Sequence, residues 1–109
     1  QEIFGSHIRK GIILTKYGHS KQNLENFEII EAGHPIPDNN SILGTQKIID
    51  MVKELTEKDN IIFLLSGGGS SLFEKPVQGI TLEDVQNVTQ QCLRCGASIT
   101  EINTIRKRM

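Results

Sequence analysis

Ser66-Gly67-Gly68-Gly69-Ser70-Ser71 is the stretch of this 109-residue sequence best suited to hold an anion. Consecutive glycines let the backbone take positive φ and bring several N–H groups close to one oxyanion. A helical turn directly behind them, which Pro76 must limit, adds partial positive charge, so phosphate or carboxylate is the natural guest. The serine hydroxyls add further donors or a metal ligand. The loop is not a Walker A motif, because the required Lys is absent, and it is not a dinucleotide fingerprint, because Leu72 stands where the third Gly belongs. The plain alternative is a flexible Gly-Ser turn, against which stands the all-apolar run Ile61-Ile62-Phe63-Leu64-Leu65 fused to it.

Three further groups have the chemistry to join such a site. Ala32-Gly33-His34-Pro35-Ile36-Pro37-Asp38 contains two prolines that stiffen the loop and hold His34 and Asp38 in place. These two side chains suit binding or polarising a hydroxyl, or holding Mg²⁺ through water; equally, Asp38 suits a helix cap and His34 a hydrogen-bonded loop residue. Lys16, in Lys16-Tyr17-Gly18-His19, places an ammonium at a strand end, where it either meets an anion or is solvated. Asn103 and Arg106, with Lys107, share or border one helical face; Arg suits bidentate binding of phosphate or carboxylate, and an amphipathic helix also accounts for them.

Cys92 and Cys95 supply only half of a four-ligand zinc site, and His7, His19 and His34 are too distant and unevenly spaced to complete it. Both are expected to be small buried hydrophobes late in a helix, with no metal and no disulfide, as suits a reducing cytosol.

These groups need elements to position them. Gly11-Ile12-Ile13-Leu14-Thr15, Phe27-Glu28-Ile29-Ile30-Glu31 and the run at 61–65 read as strands, the last apolar at every position as befits a central parallel strand covered on both faces. Ile42, Thr45, Ile48, Ile49, Val52 and Leu55 recur at helical spacing behind Asp38, Asn39, Asn40 and Ser41, which predicts a capped helix of about four turns. Thr81 and Asp84 resemble a capping box for a helix carrying Leu82, Val85, Val88 and Cys92 on one face and ending near Gly96. Ser98 and Glu101 form a second box, ahead of Ile99, Ile102 and Ile105. The order predicts an α/β fold with a parallel sheet and a right-handed crossover, its ligands beyond the carboxyl ends of the strands.

Length allows one domain or part of one. Net charge is −1, with basic ends and an acidic middle: either both ends face one anionic ligand or the faces are merely solvated. Five aromatics and no dense basic stripe speak against a nucleic-acid module, and no apolar run approaches the length of a membrane span. The chain opens on Gln1 without a charged-then-apolar leader and closes on Arg106-Lys107-Arg108-Met109 without a stop signal, so it reads as an internal piece of a longer protein.

Taken in order, Lys16-Tyr17-Gly18-His19, Gly33-His34-Pro35-Ile36-Pro37-Asp38, Leu65-Ser66-Gly67-Gly68-Gly69-Ser70-Ser71, Pro76, Gly79-Ile80-Thr81-Leu82-Glu83-Asp84, Gly96-Ala97-Ser98-Ile99 and Glu101-Ile102-Asn103-Thr104-Ile105-Arg106-Lys107 resemble the type 2 glycerate kinases, which carry a carboxyl-terminal MOFRL domain. Departures are mild: Ser71 stands where Ala is usual, and Cys92 and Cys95 fall where Leu and Ser are common. The resemblance implies a cytoplasmic two-domain enzyme that transfers the γ-phosphate of ATP to D-glycerate with Mg²⁺, giving 2-phosphoglycerate in an interdomain cleft, with no nucleic-acid or membrane partner. Residues 1–109 would be the middle of its amino-terminal domain, a three-layer Rossmann-like sheet with helices on both faces, packed against the carboxyl-terminal domain of the same chain; a homodimer is compatible with it. Ser66, Gly67, Gly68, Gly69, Ser70, Ser71 and Lys16 would hold the nucleotide phosphates; His34, Asp38 and Arg106 would be catalytic, and His34, Asn103 and Arg106 would bind substrate. The family's upstream Gly-Lys-Ala lysine and distal arginine lie outside these residues, so the piece alone should be inactive. Two rivals remain, an NAD-dependent hydroxypyruvate reductase and a non-catalytic ligand-binding relic; the missing third glycine argues against the first.

Overall fold

Gly11–Lys16 and Phe27–Ala32, both rich in β-branched residues, form strands β1 and β2. In the computed structural model, which describes residues 7–20 and 24–109, they pair in parallel with Gly11 opposite Phe27 and Lys16 opposite Ala32. The return from β1 to β2 is residues 17–26. Extended, these reach about 33 Å, more than the roughly 20 Å length of a six-residue strand, so a parallel return needs no helix.

Helix α1 spans Asn39–Lys53 and packs on both strands. Its tightest face is made of Ser41, Gly44 and Thr45 rather than the isoleucines of the predicted stripe; Ile42, Ile48 and Ile49 are half-buried, and Val52 is exposed. The reason lies at Gly44, where a Cβ would stand 2.7 Å from Leu14 Cδ1 and 3.3 Å from Ile30 Cγ2. Only a helix surface without bulk lets the backbone approach the sheet this closely.

A 3-10 turn at Gly69–Ser71 follows the glycine run. Helices α2 (Leu82–Arg94) and α3 (Ile99–Arg106) begin at the expected capping boxes, Thr81 with Asp84 and Ser98 with Glu101. Each cap satisfies an otherwise orphaned amide, worth about 1 kcal/mol. Val85, Thr89 and Cys92 are the buried residues of α2 and Ile102 that of α3, whereas Ile99 and Ile105 are exposed. Cys95 is also exposed, and its thiol donates to Cys92 O, so only Cys92 takes the buried place expected of both cysteines. Helix ends explain the difference, since Cys95 is the C-cap of α2, where the apolar stripe runs out.

The third expected strand does not form. Residues 61–65 pair with no strand among the described residues, and they are 53–88% exposed. Uniform apolarity signals burial on two faces, but nothing described here covers either one. Phe63 alone gains an aromatic neighbour, edge-on to Phe73 at 6.0 Å between ring centroids.

Candidate active site

The carboxyl ends of β1 and β2, the amino end of α1 and the glycine loop form the setting. Gly68 has φ of +82°, a conformation that disfavours any side chain, and a Cβ there would stand 3.0 Å from His34 Nε2. Two loops that are 34 residues apart in sequence therefore meet, imidazole against glycine backbone. Within the turn the Gly69 N–H donates to Ser66 O and the Ser71 N–H to Gly68 O, while the Ser71 hydroxyl, buried, also donates to Gly68 O at 2.8 Å. These bonds turn Ser71 inward and away from a ligand. The amides of Gly67 and Gly68, both exposed, meet no acceptor among the described residues, so they are what the loop offers an anion. Ser66 is exposed beside them; the Ser70 side chain lies outside the described residues.

Asp38 is the N-cap of α1. Its Oδ1 accepts from the Ser41 N–H at 3.2 Å and the Ser41 hydroxyl at 3.3 Å, and its Oδ2 accepts from the Tyr17 hydroxyl at 2.7 Å. Asn40 Nδ2 in turn donates to the Tyr17 oxygen and to Glu31 O, each at 3.0 Å. Partial burial pushes the Asp38 carboxyl up, and the donors Tyr17, Gly33 and Ser41 outweigh it, leaving the group below its ordinary range and ionised at neutral pH. The same hydrogen bond, followed by desolvation and the Asp38 charge, raises the Tyr17 phenol above 10.0, so it remains a donor.

Lys16, the last residue of β1, is exposed at this end of the sheet. Arg106, expected as a catalytic and substrate-binding residue, has its guanidinium paired with Glu74, and both side chains are nine-tenths covered. Glu74 donates its backbone N–H to the Thr45 hydroxyl at 2.8 Å, so one buried cluster ties α1, the segment after the glycine loop and α3 together. Asn103, one turn before Arg106, is half-buried, and none of its described contacts reaches His34 or the loop. Gln86 Nε2 donates to Pro37 O at 2.8 Å and anchors the His34 loop from α2. Tyr17, Asn40, Thr45, Glu74 and Gln86 were not among the candidate site residues read from sequence. Tyr17 carried a signal in its place beside Lys16 at a strand end, whereas Asn40 and Thr45 read only as a cap and as part of a helical stripe, and Glu74 and Gln86 carried none.

The described residues contain no group of three His, Cys, Asp or Glu side chains placed for a metal. The Asp38 carboxylate already accepts from the Tyr17 hydroxyl and from the Ser41 N–H and hydroxyl, so the described residues supply no built Mg²⁺ site. An open groove of about 640 Å³ runs between α1 and the Pro76, Ile80 and Leu82 segment; it shares only Asn40 with the network above.

A family described as a domain of unknown function, DUF4147, matches residues 1–109. The chain belongs to the DUF4147 family. This DUF4147 chain is 54% identical over 108 residues to the D-glycerate 2-kinase of Thermotoga maritima, covering 99% of itself and 26% of the relative. It is 44% identical over 99 residues to a putative hydroxypyruvate reductase of Agrobacterium vitis, covering 91% of itself and 22% of that protein. A crystal structure of glycerate kinase from Thermotoga maritima superposes with a TM-score of 0.83 at 55% identity, over 97% of this chain and 26% of the other. The chain thus spans about a quarter of the length of the relatives it matches.

Proposed function

We propose that this DUF4147 chain is the middle of the amino-terminal domain of a cytoplasmic, two-domain glycerate 2-kinase. The observation that carries the reading is its 54% identity, across nearly its whole length, to a D-glycerate 2-kinase. The glycine loop is in keeping with it, since phosphoryl transfer asks a protein mainly for positioning and for stabilisation of charge. In the reaction the 2-hydroxyl oxygen of D-glycerate bonds to the γ-phosphorus of ATP, the bond to the β–γ bridging oxygen breaks to release ADP, and the hydroxyl proton passes to solvent.

On this reading the free amides of Gly67 and Gly68 receive phosphate oxygens, assisted by Ser66 and the Lys16 ammonium. His34, held over Gly68, faces the acceptor, and the ionised Asp38 fixes the loop from which His34 projects. Arg106 acts through Glu74, holding the segment behind the glycine loop, and Asn103 borders the cleft. Mg²⁺ arrives with the nucleotide phosphates rather than on a site built from these residues. The two-stranded sheet becomes part of a three-layer Rossmann-like sheet, with residues 61–65 as a central strand, and the carboxyl-terminal domain closes the cleft; assembly as a homodimer is compatible with this arrangement.

The hydroxypyruvate reductase reading has the names of two relatives behind it and lacks the glycine at Leu72 that a dinucleotide loop needs. The test is a coupled assay of the full-length protein with ATP, Mg²⁺ and D-glycerate, run beside NADH and hydroxypyruvate. Formation of 2-phosphoglycerate without NADH oxidation is expected. NADH oxidation alone would establish the reductase, and neither activity the non-catalytic relic.

A further inference from the structure

We infer that Tyr17 is a positioning residue for the acceptor side of this site, acting through Asp38 on the loop that carries His34. The inference rests on the kinase reading above and extends it to a residue which that reading leaves without a role. Hydrogen bonds around the phenol run in one direction: Asn40 Nδ2 donates to the Tyr17 oxygen at 3.0 Å, and the Tyr17 hydroxyl donates to Asp38 Oδ2 at 2.7 Å. Because Asn40 also donates to Glu31 O, the end of β1, the end of β2 and the first turn of α1 are clamped at one point. Asp38 closes the segment that begins at Gly33, and His34 lies within that segment against Gly68. The Tyr17 hydroxyl therefore fixes one end of the loop whose imidazole meets the glycine backbone.

A plain folding role fits poorly. Tyr17 is 54% exposed, so its ring contributes little to the core, and the α1 cap is already satisfied by Asp38 Oδ1 with Ser41. What the hydroxyl adds is a fixed position for Oδ2. Small misplacements of this kind act on the chemistry far more than on stability.

The test is Tyr17→Phe in the full-length enzyme, which removes one oxygen and keeps the ring. The expected result is a fall of about tenfold in kcat/KM for D-glycerate, with the KM for ATP changed less than about twofold and the thermal midpoint nearly unaltered. Unchanged kcat/KM for D-glycerate overturns the inference and leaves the kinase reading intact. A comparable rise in the KM for ATP, or a large drop in thermal midpoint, also overturns it, because a general structural role would produce either. If the unsubstituted enzyme transfers no phosphate to D-glycerate, the kinase reading fails first and this inference with it.

Discussion

Three side chains, Arg106, Glu74 and Asp38, illustrate how residue chemistry and burial decide roles here. Arg106 and Glu74 form an ion pair with both partners nine-tenths covered, and such pairs matter most when only one member is removed. Glu74→Gln should therefore destabilise the full-length protein by about 2 kcal/mol, read from denaturant unfolding, whereas Glu74→Met combined with Arg106→Met should recover most of that loss. An equal loss in the double variant would mean that Arg106 has work apart from Glu74. Asp38 yields a pH dependence instead. Its folded pKa lies below the ordinary value, so its contribution to stability is fully present above the unfolded value near 4 and disappears as pH falls through the folded one. Acid unfolding followed by circular dichroism should show this loss, and Asp38→Asn should weaken the pH dependence in that window. The capping role of Asp38 was legible from its place before an apolar-periodic stretch; its bond to Tyr17 was not, because that partner lies 21 residues away across the return between parallel strands.

Elements were most legible where local chemistry sets their ends. Thr81 with Asp84 and Ser98 with Glu101 start their helices where the spacing predicts, since a cap and its partner are read within four residues. Faces were less legible: α1 turns Ser41, Gly44 and Thr45 to the sheet because proximity, not apolarity, governs that contact. In the candidate site the glycine loop was identifiable from composition, while its contact with His34 depends on tertiary geometry. That contact supports a prediction about the loop as a unit. Gly68→Ala must place a side chain at φ +82° and push a Cβ to 3.0 Å from His34 Nε2. The strain should cost roughly 1–2 kcal/mol, and displacement of the imidazole should lower kcat/KM at least about tenfold. Steady-state kinetics beside thermal unfolding checks this, and a variant that loses stability but keeps its kinetics would separate His34 from the reaction.

The dimensions of the whole chain bear on the one strand that sequence places and the structure leaves open. A radius of gyration of 15.6 Å exceeds the roughly 13 Å of a compact chain this long, and the accessible surface of 8204 Å² exceeds the roughly 6,000 Å² such a chain would expose. Residues 61–65 and neighbouring Phe73 and Val77, all apolar, are exposed. An open apolar run of this kind is a hazard in isolation and a core strand when covered. As the central strand proposed above, the run would alternate, with Ile62 and Leu64, now 68% and 88% exposed, on the face opposite Phe63, whose ring already meets Phe73. Changing both to Lys should therefore have opposite effects in two settings. In the isolated 109-residue chain the double variant should self-associate less, by light scattering, with helical content unchanged, because the charges are solvated. In the full-length enzyme, where the run is proposed as a central strand, the same pair would bury two ammonium groups and cost on the order of 5 kcal/mol, lowering the yield of folded protein. A soluble, active full-length double variant would mean that this run faces solvent there too, and that its apolarity serves something other than the core of a parallel sheet.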